Sequence, residues 1–219
     1  MTKIIITDDH QLFRSGLKLL IDSYAEFEVT EEVGSGKELV DLVSKMDNVD
    51  DYVILLDIAM PEMDGIAAAK KCLELHPTLN IIALTMFGDE DYYFSMVKIG
   101  AKGFLLKNSD ISEVIDALKV VSSGGSYFSR ELLTSLVNNI VNSENAVDDV
   151  KQTVAALSDR EIEVVNLICR GSTTGEIANA MEISKRTVDK HRANILDKTG
   201  AKNSAELVVY AIKNKITTI

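Results

Sequence analysis

The chain has 219 residues and a formal net charge of −11, spread unevenly. Residues 1–150 carry 26 acidic and 12 basic side chains, a net of −14, whereas residues 151–219 carry 8 and 11, a net of +3. This divides a length that one large or two ordinary domains could fill, and it makes the acidic part a poor partner for nucleic acid and the basic tail a better one.

No stretch approaches the roughly 18 consecutive apolar residues of a membrane span, so no membrane association is expected. The N-terminus runs straight into a strand-like segment without the apolar core of a signal peptide. Cys72 and Cys169 fall in different domains on apolar helical faces, which predicts buried free thiols in a cytoplasmic protein. His10, His76 and His191 are scattered, without metal-ligand spacing.

Five short apolar runs lie in the first half. Lys3–Thr7 leads into Asp8-Asp9, Val53–Leu56 into Asp57, Ile81–Leu84 into Thr85 and Gly103–Leu106 into Lys107; the run at Phe27–Thr30 ends without such a group. Continuous apolar runs separated by helical stretches predict the buried strands of a doubly wound, five-stranded parallel sheet. In such a sheet the ligand site lies at the carboxyl ends of the strands, at the topological switch point. Asp8, Asp9, Asp57, Thr85 and Lys107 would then share one crevice. Strand ends that merely meet solvent explain any one of these residues, but not all four runs.

Three carboxylates in one crevice repel one another and call for a cation. Mg²⁺ suits oxygen ligands and keeps positions for water and phosphate oxygens. Asp57 can accept a phosphoryl group as an acyl phosphate, with Lys107 and Thr85 meeting the phosphoryl oxygens. Neither a glycine-rich phosphate loop nor a histidine–nucleophile pair is present, so a turnover enzyme is not expected.

Ser122–Ser126, containing Gly124 and Gly125, closes the last helix of this half. Leu132, Leu133, Leu136, Val137 and Ile140 then recur at helical spacing, and Asn142–Asp149 reads as a polar, acidic linker. In the tail, Ser158-Asp-Arg-Glu161 and Thr173-Thr-Gly-Glu176 match the capping box, while Ser184 and Asn203 offer further N-caps. Helices are predicted at about 159–170, 174–181, 185–199 and 204–214, the middle two joined by the tight Glu182–Ser184 turn of a helix-turn-helix. On the third, Val188, Ile195 and Leu196 should pack inward, leaving Arg186, Lys190 and Ala193 on the free side with Asn194 and Asp197 flanking. Such a helix suits the major groove. His191 and Arg192 lie nearer the packed side.

The string Asp8-Asp9-His10, the run Leu56–Gly65, Leu84-Thr85 and Lys107 resemble the receiver domain of bacterial two-component response regulators. The flavodoxin-like fold of that family follows as an expectation for residues 1–123. The resemblance implies Asp57 as phosphoacceptor, Mg²⁺ held by Asp9, Asp57 and the backbone oxygen of Ala59 with Asp8 in support, Thr85 as the switch hydroxyl and Phe104 as the switch aromatic. Asn108 stands where many receivers have a proline after the lysine. Leu157–Val164, Gly171, Glu176–Ala178, Ile183-Ser184, Thr187-Val188, His191 and Asn194-Ile195 resemble the LuxR-type helix-turn-helix. With residues 124–150 as connecting helix and linker and 151–219 as a four-helix DNA-binding domain, the chain resembles a NarL/FixJ-type response regulator. That implies a sensor histidine kinase and double-stranded DNA as partners, with a homodimer on DNA or on phosphorylation. The implied DNA contacts are Lys185, Arg186, Lys190 and Asn194, with Thr187, Asp189 and Arg192 as further candidates. Asp189 departs from the lysine usual in the family; an acid there repels phosphate but can accept from cytosine N4. An aspartyl-phosphate phosphatase of the haloacid-dehalogenase type is disfavoured, because Ala59 stands where its second acid would be.

Overall fold

Burial on both faces is what makes the first-half runs strands: every residue of Val53–Asp57, Asn80–Thr85 and Gly103–Leu106 is buried. In the computed structural model, β1 (Thr2–Thr7), β2 (Phe27–Val33), β3 (Tyr52–Asp57), β4 (Asn80–Thr85) and β5 (Gly103–Leu106) are joined by α1 (Gln11–Ile21), α2 (Gly36–Val43), α3 (Gly65–Leu75) and α4 (Glu90–Ile99). Helix α5 (Ile111–Ser122) follows β5. The structure describes residues 1–86, 90–128, 157–201, 203–214 and 216–217. The chain divides into two compact units, Met1–Ser122 and Ser123–Ile219.

The strand order is β2-β1-β3-β4-β5-β6, β6 being the two-residue strand Tyr127–Phe128. Pairing from β2 through β5 is parallel throughout. The five expected strands are present, and β6 adds a sixth to the order. Strand β2 mixes buried Phe27, Val29 and Val33 with exposed Glu28, Glu31 and Glu32, as an edge strand with one open face should. The order reverses between β1 and β3, which sets the switch point at the carboxyl ends of those two strands.

The second unit contains α6 (Asp159–Cys169), α7 (Thr174–Ala180), α8 (Lys185–Thr199) and α9 (Ser204–Lys213). Both capping boxes close reciprocally, Ser158 with Glu161 and Thr173 with Glu176. Ser184 accepts from the N–H of Thr187 and Asn203 from that of Glu206. Gly200, at φ 71°, ends α8 in the left-handed conformation that a side chain would oppose. Val164, Val165, Ile168, Ile177, Val188, Ile195, Leu207 and Ala211 form the core of this unit. The expected helix around Leu132–Ile140 and the linker at Asn142–Asp149 lie outside the described residues.

Candidate functional site: a buried acidic crevice and an exposed basic helix

Four strand ends deliver the crevice. Asp8 and Asp9 follow β1, Asp57 closes β3, Thr85 closes β4 and Lys107 follows β5. Parallel registry of β1 with β3, and of β3 with β4, sets these ends side by side. The Lys107 Nζ stands 2.7 Å from Asp8 Oδ2 and 2.8 Å from Asp57 Oδ2, with the three side chains 10%, 0% and 1% exposed. Two carboxylates thus share one ammonium out of water, leaving an uncompensated negative charge. Burial pushes the Asp57 carboxyl above its ordinary value; the hydrogen bond and charge of Lys107 and the N–H of Ala59 oppose this, while Asp8 adds to it. For Lys107 burial acts downward, but the two carboxylates outweigh it and the ammonium is held above its ordinary value.

The surrounding backbone fixes these groups. Asp57 Oδ1 accepts from the Ala59 N–H at 3.2 Å. The N–H of Lys107 donates to the Thr85 carbonyl at 2.8 Å, tying the ends of β4 and β5. The buried Thr85 hydroxyl donates to the Met86 carbonyl at 3.1 Å. Phe104, wholly inside, meets the Tyr93 ring edge-on with centroids 5.2 Å apart. At Gly65 a Cβ would lie 2.2 Å from the Asp57 carbonyl oxygen, so only glycine lets α3 begin against the end of β3. No cis peptide occurs among the described residues, and the bond after Lys107 is trans.

Asp9 and Ala59 stand at the open mouth, where water and a ligand can reach them. Ligand atoms of Asp8, Asp9, His10 and Asp57 all lie within 4.8 Å of one another. Three carboxylates, a nearby carbonyl and residual negative charge fit a hard divalent cation. His10 joins this group although the spacing of the histidines gave no sign of it. Arg14 and Phe13 were also missed: the Arg14 guanidinium donates to the Asp8 carbonyl, and Lys107 Nζ lies 5.4 Å from the centre of the Phe13 ring. The one available signal was their place in the first turn after an acidic pair.

In the second unit, Lys185, Arg186, Asp189, Lys190 and Asn194 are exposed along α8, and Thr187 is half-buried. Val188 and Ile195 are fully buried on the opposite side. Arg192 is turned inward: its guanidinium donates to Thr174 Oγ1 at 2.9 Å and to Ser204 Oγ at 2.6 Å. It ties α8 to the first residues of α7 and α9, and burial lowers its pKa against the pull of Asp189.

Residues 4–119 match the family of the response regulator receiver domain, and residues 155–211 match the bacterial regulatory proteins of the luxR family. The oxygen regulatory protein NreC of Staphylococcus epidermidis (strain ATCC 12228) is 38% identical over 98% of both chains. The chain belongs to the response regulators. NreC of Staphylococcus aureus (strain RF122) is 36% identical, again over 98% of each chain. Among solved structures, the response regulator ChrA of a heme-sensing two-component system is similar at TM-score 0.51 and 25% identity, covering 98% of each chain. A complex of the response regulator RcsB with DNA is similar at TM-score 0.56 and 25% identity, covering 95% of this chain and 96% of that one. This response regulator therefore joins a receiver of flavodoxin-like fold to a luxR-family DNA-binding domain, as a transcriptional regulator and not a turnover enzyme. No helix among the described residues is long and apolar enough to cross a membrane. Cys72 is buried and Cys169 half-buried; burial pushes both thiols up to about 12.

Proposed function

We propose that Asp57 takes a phosphoryl group from a phosphohistidine of a partner sensor histidine kinase, and that this modification controls binding of the C-terminal unit to duplex DNA. The observation that carries the reading is the buried Asp57 carboxylate facing a lysine it shares with Asp8. An electron pair of Asp57 forms the O–P bond as the donor's N–P bond breaks, and the released imidazole keeps the electrons and takes up a proton. Lys107 then moves its contact from the carboxylate to a phosphoryl oxygen, and Thr85 turns its hydroxyl from Met86 to another. Space vacated by Thr85 lets the already buried Phe104 repack, and this two-state packing carries the charge change outward. Asp9, Asp57 and the Ala59 carbonyl, supported by Asp8, would hold Mg²⁺. That ion supplies neutralisation of the phosphoryl oxygens when bound.

In this reading residues 1–123 are the receiver, 124–150 a connecting helix and linker, and 151–219 the DNA-binding domain of a cytoplasmic protein. Lys185, Arg186, Lys190 and Asn194 contact DNA from the exposed face of α8, with Asp189 and Thr187 at its margin, and two copies pair to meet adjacent grooves. The inward hydrogen bonds of Arg192 favour a positioning role over a DNA contact. Incubation with acetyl phosphate and Mg²⁺ should add one phosphate to the wild type and none to Asp57→Asn, read by intact mass. Equal labelling of the variant would overturn the assignment.

A further inference from the structure

His10 occupies the N-cap position of α1, where a short polar side chain ordinarily accepts from the first free N–H groups of the helix. Its side chain makes no such cap. It turns instead into the crevice, with Nδ1 2.9 Å from Asp9 Oδ1 and 3.2 Å from Asp8 Oδ1. Its own N–H donates to Asp8 Oδ1 at 2.8 Å, which holds the residue over the acids. The imidazole is 69% exposed, so the mouth side stays open to solvent.

These are hydrogen-bond and ion-pair distances, and ligands around one ion stand equally close. Two donors about 2.1 Å from a metal and at right angles stand about 3.0 Å apart. Resting on the metal-site reading above, we propose that His10 adds an imidazole nitrogen to the Asp8, Asp9 and Asp57 oxygens and tunes the crevice toward first-row transition cations over Mg²⁺. The chemistry supports this direction. Carboxylate and carbonyl oxygens suit Mg²⁺, whereas imidazole gains most with cations further along the series from Mn²⁺ to Cu²⁺. Mg²⁺ has little to gain from a nitrogen ligand, so the contribution of His10 should separate the two classes of ion. The alternative role for His10 is that of a counter-charge to Asp8 and Asp9. A counter-charge competes with every divalent cation alike.

The test is titration of the full chain with Co²⁺ and with Mg²⁺, following heat and the visible absorption of Co²⁺. Wild type should prefer Co²⁺, and His10→Ala should weaken Co²⁺ on the order of tenfold while leaving Mg²⁺ within about twofold. The Co²⁺ band should shift with loss of the nitrogen ligand, and His10→Asn, which keeps a polar side chain, should give the same result. Equal changes for both ions, or a Co²⁺ affinity and spectrum indifferent to both substitutions, would overturn the role of His10. Asp9→Asn separates the two levels: loss of both ions upholds the acidic site whatever His10 does. Unchanged Mg²⁺ binding in Asp9→Asn would sink the metal-site reading itself.

Discussion

Lys107 is the only base among the described residues that ion-pairs with both Asp8 and Asp57, and the fate of the crevice depends on that one ammonium. Removing it leaves two buried carboxylates facing each other without a cation. Breaking a buried pair costs about 3–5 kcal/mol when the survivor stays charged; protonation of Asp57, already favoured by burial, reduces that cost. Lys107→Ala should therefore lower the melting temperature of the receiver in chelator and recover much of the loss in Mg²⁺, more than wild type gains. The variant should still accept phosphate, slowly, yet show no phosphate-dependent change in DNA affinity. Full coupling in Lys107→Ala would mean that the switch runs elsewhere. A second ion pair has the opposite titration. The Glu161 carboxyl is buried, which acts upward, but hydrogen bonds from Lys198 and Ser158 hold it down to about 2. A folded value below the ordinary 4.5 means that its stabilisation is complete above 4.5 and is lost as pH falls toward 2. Because Lys198 is 39% exposed, Glu161→Gln should cost only about 1–2 kcal/mol at pH 7. The gap between variant and wild type should close as acid unfolding is followed to about pH 2; a constant gap would contradict the pairing. The crevice residues were legible in sequence because each ends an apolar run, a pattern that burial imposes. The Glu161–Lys198 pair was not, since 37 residues separate its members and the capping box already accounted for Glu161.

At the scale of elements, α3 and α8 show what the chain needs locally. The Gly65 N–H donates to the Ile58 carbonyl at 2.9 Å, folding the loop after Asp57 back on itself, and Asp64 caps the helix by accepting from Ala67 at 2.7 Å. A methyl at Gly65 would overlap the Asp57 carbonyl, so the end of β3 must move. Gly65→Ala should destabilise the receiver by about 1–3 kcal/mol and slow phosphorylation by acetyl phosphate, although residue 65 carries no reactive group. An unchanged labelling rate would show that the strand end tolerates the shift. Helix starts in the second unit were legible to within a residue because Ser158, Thr173, Ser184 and Asn203 all cap by side chain. The turn before α8 was less so: α7 ends at Ala180, and Glu182 adopts φ 55°, a left-handed conformation that few side chains other than glycine enter readily. Nothing in its residue type announces that. Arg192 was likewise read by helical angle alone, which could place it near the packed side but could not name Thr174 and Ser204 as its partners.

Across the whole molecule charge changes sign along the chain, and DNA binding should reveal it. Residues 1–150 bear a net −14 and residues 151–219 a net +3. Duplex DNA gains affinity from each phosphate that a lysine or arginine neutralises, and that gain falls with salt. Repulsion from the acidic part falls with salt as well, because the screening length shrinks to about 10 Å at 0.1 M and lower still above it. The fragment 151–219 should therefore bind non-specific duplex more tightly than the unphosphorylated full chain at low salt, with the difference narrowing as salt rises. A difference that persists undiminished would point instead to physical blocking of α8 by the rest of the chain, which phosphorylation of Asp57 should relieve. Within the fragment, Arg186 and Lys190 project from the exposed face of α8. If Lys190 meets only phosphate, Lys190→Ala should weaken all sequences alike and lower the salt slope by about one unit. If it reads a base, the loss should be about 1–3 kcal/mol and confined to the specific site. Arg192→Ala should differ from both, lowering thermal stability of the fragment before DNA is added. Unchanged duplex binding in the Arg186→Ala, Lys190→Ala double variant would remove α8 from the DNA interface.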